Sequence, residues 1–440
     1  MKIAMIGTGY VGLVSGVCFS EFGFDVVCVD VDAEKVAGLE RGEMPIYEPG
    51  LDSLVESNRA AGRLTFSTDL AASVADADVV YIAVGTPSRR GDGEADLGFV
   101  FAAAEQVARA MRPGTVVAIK STVVVGTCRE VLRIIEETRP GLDFSVASNP
   151  EFLREGSAVE DFMRPDRVVV GVHDERGREM MKRLYRPLYL RETPMVVTTL
   201  ENAELIKYAS NAFLAMKVTF INEVADLCEK VGGDVQAIAS AIGLDKRIGG
   251  KFLHAGPGFG GSCFPKDTRA FAATGRKHGA PQKLIETVID VNELRKVAMA
   301  DRILDAIGQD PKDKVVTVLG VAFKPNTDDV REAPSLAILP RLVEAGATVR
   351  AHDPEAAEQA EPLLPGVEWY GNVLEAIEGA DVVVVLTEWN AYRGLNPVRL
   401  SAAMRGNTLV DLRNIYRADE VAAAGLRYLP IGKMATEPAS

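Results

Sequence analysis

"KIAMIGTGYVGLVSG", residues 2–16, decides how the fold begins. Residues 2–6 are a short apolar run, the pattern of a strand buried on both faces. "GTGYVG" follows and sets Gly7, Gly9 and Gly12 in G-x-G-x-x-G spacing. A helical pattern then runs to about Phe22, and "DVVCVD" (residues 25–30) reads as a second strand ending in Asp30. The glycine spacing alone is a weak signal. With a strand before it, a helix after it and an acid close to the expected distance, it predicts a dinucleotide-binding Rossmann unit. Gly7 permits the tight turn, Gly9 lets backbone approach a pyrophosphate, and Gly12 lets the helix pack on the strand. The helix N-terminus, which includes Tyr10 and Val11, favours phosphate charge. Asp30 can accept hydrogen bonds from ribose hydroxyls and would repel a 2′-phosphate, which favours NAD over NADP. Lys35 nearby tempers that preference.

Working outward, "ADVVYIAV" (77–84), "TVVAIKST" (115–122) and "FSVASNP" (144–150) are near-continuous apolar runs, as expected of parallel strands covered on both faces. They end in Thr86-Pro87, Ser121-Thr122 and Asn149-Pro150-Glu151. Ligands of open α/β sheets bind at carboxyl strand ends, so these segments are candidate site segments. A helical pattern spans about 199–231, long enough at ~1.5 Å per residue to reach roughly 50 Å. Such a helix suits a connector and a dimer surface. Glu204, Lys207, Asn211 and Asn222 share one of its faces. That stripe is either solvated or turned toward a site, and the flanking Ile206, Tyr208, Phe213 and Leu214 favour the site.

The last third repeats the first architecture. "KVVTVLGVAF" (314–323), "GATVRAHDP" (346–354), "ADVVVVLTEW" (380–389) and "TLVDLRN" (408–414) read as strands, without a second G-x-G-x-x-G. No second NAD is expected there. The fold class is therefore α/β: two Rossmann-like, doubly wound domains joined by a helical central domain with one long helix. The expected divisions are 1–198, 199–300 and 301–440. The closing "KMATEPAS" has the composition of a disordered tail.

The 440 residues suggest about three domains, with 47% hydrophobic and 25% charged content typical of soluble proteins. A net charge of −13 argues against nucleic-acid binding, while local cations can still hold an anionic small ligand. The N-terminus lacks the apolar core of a signal peptide, and no apolar stretch has membrane-spanning length. A cytoplasmic protein without membrane association is expected. Cys18, Cys28, Cys128, Cys228 and Cys263 form no C-x-x-C, and the four histidines form no H-E-x-x-H. Neither a disulfide framework nor a metal site is expected.

Four of the cysteines lie in apolar patterns and read as core. Cys263 lies instead in "GFGGSCFPKD" (258–267), with Lys266 and Asp267 close behind. An inert thiol and a nucleophile both fit such a loop. A nicotinamide domain accepts hydride and a thiolate adds to aldehydes, so the pair together suggests oxidation to the acid level through a thiohemiacetal and a thioester.

"GPGFGGSCFPKDTRAF" (256–271), "SNPEFLREG" (148–156), "NAELIKYASNAFLAMKVTFINE" (202–223) and "GVAFKPNTDDVREAPS" (320–335) together resemble the UDP-glucose 6-dehydrogenase family of nucleotide-sugar dehydrogenases. The resemblance runs from the glycine fingerprint to "LVDLRN". It implies the four-electron oxidation of UDP-glucose to UDP-glucuronate by two NAD and water. By the match, Cys263 is the nucleophile. Lys207 and Asn211 stabilise the oxyanion, Asp267 serves the water and proton network, and Glu151 activates water with Thr122 nearby. Toward NAD the match implies Gly7, Gly9, Tyr10, Val11, Gly12, Asp30, Lys35, Thr86, Ser121, Thr122, Glu155, Lys266 and Arg331. Toward the sugar nucleotide it implies Glu151, Phe152, Leu153, Glu155, Lys207, Asn211, Arg247, Phe259, Gly260, Phe323, Lys324 and Arg413. Arg247 is expected to cross to the other subunit of a homodimer, or of a multiple of dimers. GDP-mannose or another nucleotide sugar is the alternative substrate. Val124 stands where the family usually has proline, and His254 where animal members carry lysine.

Overall fold

The computed structural model describes residues 1–87, 89, 93–308 and 310–439. The chain divides into two compact units, Met1–Ser210 with Ala273–Pro281, and Asn211–Ala272 with Gln282–Ser440.

The first unit is built on an eight-stranded sheet. Its strands are β1 (Lys2–Ile6), β2 (Asp25–Val29), β3 (Leu64–Ser67), β4 (Val79–Ile82), β5 (Val116–Ile119), β6 (Ser145–Ser148), β7 (Val168–Val172) and β8 (Met195–Thr198). They lie in the order β3-β2-β1-β4-β5-β6-β7-β8. All neighbours are parallel except β6 and β7, where Ala147 faces Val172. The chain order reverses between β1 and β4, the position where doubly wound sheets open a ligand crevice. Side chains alternate across the sheet as a period of two requires. Ile3, Met5, Val79, Tyr81 and Ala118 join one buried cluster, while Ala4, Ile6, Val80, Ile82 and Val117 join the other. Burial on both faces explains why these strands read as unbroken apolar runs. The antiparallel β7 and the strands β3 and β8 were not singled out from the sequence.

The second unit carries a six-stranded sheet of β9 (Val315–Leu319), β10 (Thr348–His352), β11 (Val367–Trp369), β12 (Val382–Val385), β13 (Thr408–Asp411) and β14 (Arg427–Pro430). Its order, β11-β10-β9-β12-β13-β14, repeats the winding of the first six strands, and every pairing is parallel. A single core joins this sheet to Met299, Ala300 and Ile303 of the helix Lys283–Ile307.

The long helix spans Leu200–Val231, 32 residues, within a residue of the sequence pattern. Its polar stripe is not solvated: Glu204, Lys207, Asn211 and Asn222 are all buried. The C-terminal tail departs from expectation. Thr436 pairs with Tyr428 through both backbone bonds, and Ala439 N–H donates to Ala422 O, so the segment is tied down through Ala439. Among the described residues, no helix is long and apolar enough to cross a membrane.

Candidate active site

The first unit holds a cradle at the end of β1. Gly7 has φ +101°, and a Cβ there would lie 2.7 Å from the Ala83 carbonyl oxygen. A Cβ on Gly12 would lie 2.0 Å from the Gly7 carbonyl oxygen. The protein's own packing therefore demands both glycines. A Cβ on Gly9 would meet nothing within 4 Å, so the space beside it is room a diphosphate can use. The helix Tyr10–Glu21 has no side-chain cap and no acid in its first turn, which leaves its amino end suited to an anion. Past β2, Asp30 accepts from Thr8 N (2.9 Å), Thr8 Oγ1 (2.6 Å), Asp32 N (3.1 Å) and Lys35 Nζ (3.1 Å). Partial burial alone would raise its pKa, but the Thr8, Asp32 and Lys35 donors outweigh it and bring it down to about 2. An ionised carboxylate here suits ribose hydroxyls and repels a 2′-phosphate. These residues fit NAD.

Neighbouring strand ends are locked to one another. Thr86 Oγ1 donates to Thr122 O (2.9 Å) and Ser121 Oγ to Val84 O (2.7 Å). Tyr10 donates its hydroxyl to Glu48 and accepts from Gly156 N (3.0 Å). Glu48 also accepts from Gly156 N and Ala158 N, each at 2.7 Å. This buried carboxylate ties the fingerprint helix to the loop that follows Glu151. It sits in a loop of no regular period, and nothing local in the sequence marked it.

β6 delivers Asn149, Pro150 and Glu151. Lys207 Nζ lies 2.7 Å from Glu151 Oε1, with both side chains only 4% exposed. Leu153 N donates to the other carboxylate oxygen at 2.6 Å. Burial pushes the Glu151 pKa up, but the Lys207 charge and hydrogen bond, the Leu153 N–H and the Lys120 charge more than offset it, and the net shift is downward. The Phe152 ring carries the Arg167 guanidinium at 3.7 Å and the Lys207 ammonium at 5.4 Å. Leu153 packs against the first-unit core, and Glu155 is half-buried. Glu204, on the same helical face as Lys207, has another task. It accepts from Gly126 N (2.8 Å) and Cys128 N (2.7 Å), capping the helix Thr127–Thr138.

The second unit holds the cysteine loop. Cys18, Cys28, Cys128 and Cys228 are buried, whereas Cys263 is partly exposed. Its carbonyl accepts from Asp267 N (2.8 Å), so the thiol stands at the head of the helix Phe264–Lys277, where the helix dipole favours negative charge. Ser262 Oγ lies 3.5 Å from the sulfur. Asp267 is fully buried, accepting from Asn211 Nδ2 (2.6 Å) and Lys266 Nζ (2.7 Å).

Three side chains clamp the loop's backbone. Asn292 accepts from Phe259 N (2.8 Å) and donates to Phe259 O (3.1 Å). Asn222 accepts from Gly256 N (2.9 Å), and Arg295 donates to Gly256 O (2.6 Å). The opposite side is closed by the C-terminal α/β layer. A Cβ on Gly260 would lie 2.5 Å from Glu332 O, and one on Gly261 would lie 2.8 Å from the Phe323 ring. Asn292 and Arg295 were not identified from the sequence. Their signal is two polar residues inside the apolar period of "VIDVNELRKVAM".

Around that layer, Arg413 donates to Leu386 O (2.8 Å) and Phe323 O (3.0 Å) and pairs with Glu388 (3.1 Å). The half-buried Lys324 holds its ammonium 5.2 Å from the Phe323 ring. Arg331 forks onto Asp329 at 2.8 and 2.9 Å. Arg247 is not drawn in: its side chain is 89% exposed and forks onto Asp245.

A helix end suited to an anion, an ionised carboxylate past β2, a second α/β sheet, and a cysteine at a helix head are what an NAD-dependent dehydrogenase of nucleotide-linked sugars needs, and the chain is of that class. Three family models cover the chain: the NAD binding domain (1–189), the central domain (201–294) and the UDP binding domain (317–418) of the UDP-glucose/GDP-mannose dehydrogenase family. The chain belongs to that family. It is 58% identical over 435 residues to a UDP-glucose 6-dehydrogenase of Rhizobium meliloti, covering 98% of this chain and 100% of the relative. It is 47% identical to UDP-glucose 6-dehydrogenase TuaD of Bacillus subtilis, covering 99% and 95%. A solved UDP-glucose dehydrogenase from Pyrobaculum islandicum superposes with a TM-score of 0.88 at 42% identity, covering 95% of each chain.

Proposed function

We propose that the protein oxidises UDP-glucose to UDP-glucuronate, using two NAD and one water. NAD, when bound, accepts the hydride of each oxidation. In this reading the Cys263 thiol adds to the C6 aldehyde left by the first oxidation, giving a thiohemiacetal. Loss of hydride from that adduct leaves a thioester. Water then attacks the thioester carbon, the C–S bond breaks, and the thiol and the carboxylic acid are released. Lys207 and Asn211 donate to the developing oxyanion. Glu151, with Thr122, holds and deprotonates the water, and Asp267 fixes Asn211 and Lys266. Asp30, Lys35 and the glycine turn hold the cofactor, with Thr86, Ser121, Glu155, Lys266 and Arg331 around it. Phe152, Leu153, Phe259, Gly260, Phe323, Lys324 and Arg413 hold the sugar nucleotide, the last two matching its diphosphate charge.

The observation that carries this reading is Cys263 at the head of a 14-residue helix, on a loop clamped by Asn292, Arg295 and Asn222. Such clamping holds a nucleophile in register, which an inert thiol does not need. The relatives at 58% and 47% identity are named UDP-glucose 6-dehydrogenases, which supports uridine over guanosine. The three-part division of labour follows the ranges 1–198, 199–300 and 301–440. Phe213, Phe220 and Leu227 are exposed at seven-residue spacing on the long helix, supporting a homodimer or a multiple of dimers with Arg247 reaching the partner. The cytoplasm supplies both NAD and the sugar nucleotide.

The test is stoichiometric. Purified protein is mixed with NAD and, separately, UDP-glucose and GDP-mannose, and NADH is counted per sugar consumed. Two NADH per UDP-glucose is expected. Turnover of GDP-mannose alone, or one NADH with aldehyde release, overturns the reading.

A further inference from the structure

A second buried ammonium acts electrostatically on Glu151. Lys120, just past β5, is buried. Its Nζ lies 6.0 Å from the centre of the Tyr81 ring and 5.7 Å from that of Phe162. Its hydrogen-bond partners, Asn149 Oδ1 and Tyr185 Oη, are both neutral and both at 3.3 Å. A buried cation without a bonded carboxylate is costly, and replacing it with an apolar side chain would be the simpler packing solution.

Its surroundings fix it in place. Asn149 Nδ2 donates to Val169 O (2.9 Å), which orients the amide. Asn149 Oδ1 then accepts from Tyr81 (2.9 Å) and Tyr185 (2.6 Å) as well as from Lys120. Asn149 is followed by Pro150 and then Glu151, so the residue holding Lys120 is rigidly joined to the residue proposed to activate water. Burial pulls the Lys120 pKa down to about 8, the Glu151 charge opposing this and Lys207 adding to it. The groups facing this cluster are Tyr81 on β4, Cys18 on the fingerprint helix, Tyr185 after the helix Glu175–Leu184, Lys207 on the long helix, and Glu151 itself.

We propose that Lys120 is a positioning residue that sets the proton balance of Glu151: its buried charge, held through Asn149 two residues before Glu151, acts on a carboxylate that Lys207 hydrogen-bonds directly. The proposal rests on Glu151 being the base of thioester hydrolysis. Losing the Lys120 proton makes Glu151 more basic, and keeping it makes Glu151 less so. Glu151 is thereby poised for water activation in the pH range where Lys120 titrates.

The test uses the full chain with ¹³C-labelled glutamate carboxylates, followed by NMR across pH 6–9. The resonance missing in Glu151→Gln identifies Glu151. It is expected to show an inflection near pH 8, where Lys120 loses its proton. Lys120→Met is expected to abolish that inflection and remove the same feature from the pH profile of kcat for acid formation, with KM for UDP-glucose unchanged. Lys120→Gln, which keeps a donor to Asn149, serves if methionine unsettles the fold. The proposal is overturned if the wild-type resonance shows no inflection or if it persists in the variants. It is also overturned if they lose activity with an unaltered pH profile, since packing alone explains that. The NMR arm reads the Lys120–Glu151 coupling even if UDP-glucose is not oxidised, so failure of the substrate reading is seen separately.

Discussion

Lys207→Met deletes one charge and keeps most of the side chain's length. In the structure that charge sits 2.7 Å from Glu151 Oε1, and both partners are 4% exposed. Removing one member of a buried pair leaves the other uncompensated and costs about 3–5 kcal/mol. For a unit of this size each kcal/mol moves the melting temperature by about 2–4 °C, so a fall on the order of 6–20 °C is expected in the first unit's transition. The pH dependence has a defined sign. Glu151 has a folded pKa below its ordinary 4.5, so its stabilising contribution is present above 4.5 and is lost as pH falls through the lower folded value. In Lys207→Met the largest lowering influence is gone and burial pushes the pKa upward. The variant's deficit should therefore be largest near pH 7 and narrow toward pH 5, as Glu151 takes up a proton. Lys207→Met/Glu151→Gln should recover much of the loss, because the carboxylate stripped of its bonded partner is gone. Scanning calorimetry at both pH values, on all three proteins, checks this. A deficit equal at pH 5 and 7, or a double variant no more stable than the single one, would refute the reasoning.

Gly12→Ala should fail to fold or lose cofactor binding outright, because its Cβ would lie 2.0 Å from a carbonyl oxygen. Gly9→Ala should melt within a degree or two of the parent and raise KM for NAD at least about tenfold, since its methyl would occupy only the open space; an unchanged KM counts against a diphosphate there. Cys263→Ser should stop acid formation while the protein still binds UDP-glucose by calorimetry, and full turnover would rule out a covalent route. NADP should be used on the order of 100-fold less efficiently than NAD, about 2.7 kcal/mol, because Asp30 stays ionised throughout the working pH range. Comparable kcat/KM values for the two cofactors would sink that role.

What was legible beforehand followed periodicity. Unbroken apolar runs marked strands covered on both faces, and G-x-G-x-x-G marked a turn whose sterics are local. The stripe of Glu204, Lys207, Asn211 and Asn222 was visible because helical spacing is regular, but its parts do different work. Glu204 caps a helix whose first turn lies about 75 residues earlier, and no spacing rule connects the two. The same holds for Asn292 and Arg295, which grip a loop more than thirty residues upstream through backbone atoms that carry no sequence signature. Glu48 and Lys120 escaped notice because a lone charged residue reads as solvated, and only the packed structure shows that each is buried. The C-terminal tail misled because its composition is that of a loose end, while two backbone bonds to Tyr428 hold it.

The fit of Gly260 and Gly261 against Glu332 and Phe323 has a consequence for recombination. Family members that differ in nucleotide preference invite chimeras in which the last third is exchanged at a junction near residue 301. Here the cysteine loop and that third meet through backbone and ring atoms at two positions that tolerate no added carbon. A donor segment shifted by a fraction of an ångström at either point would displace Cys263 along with it. Residues 256–263 and 320–335 are therefore one heritable block, to be transplanted together.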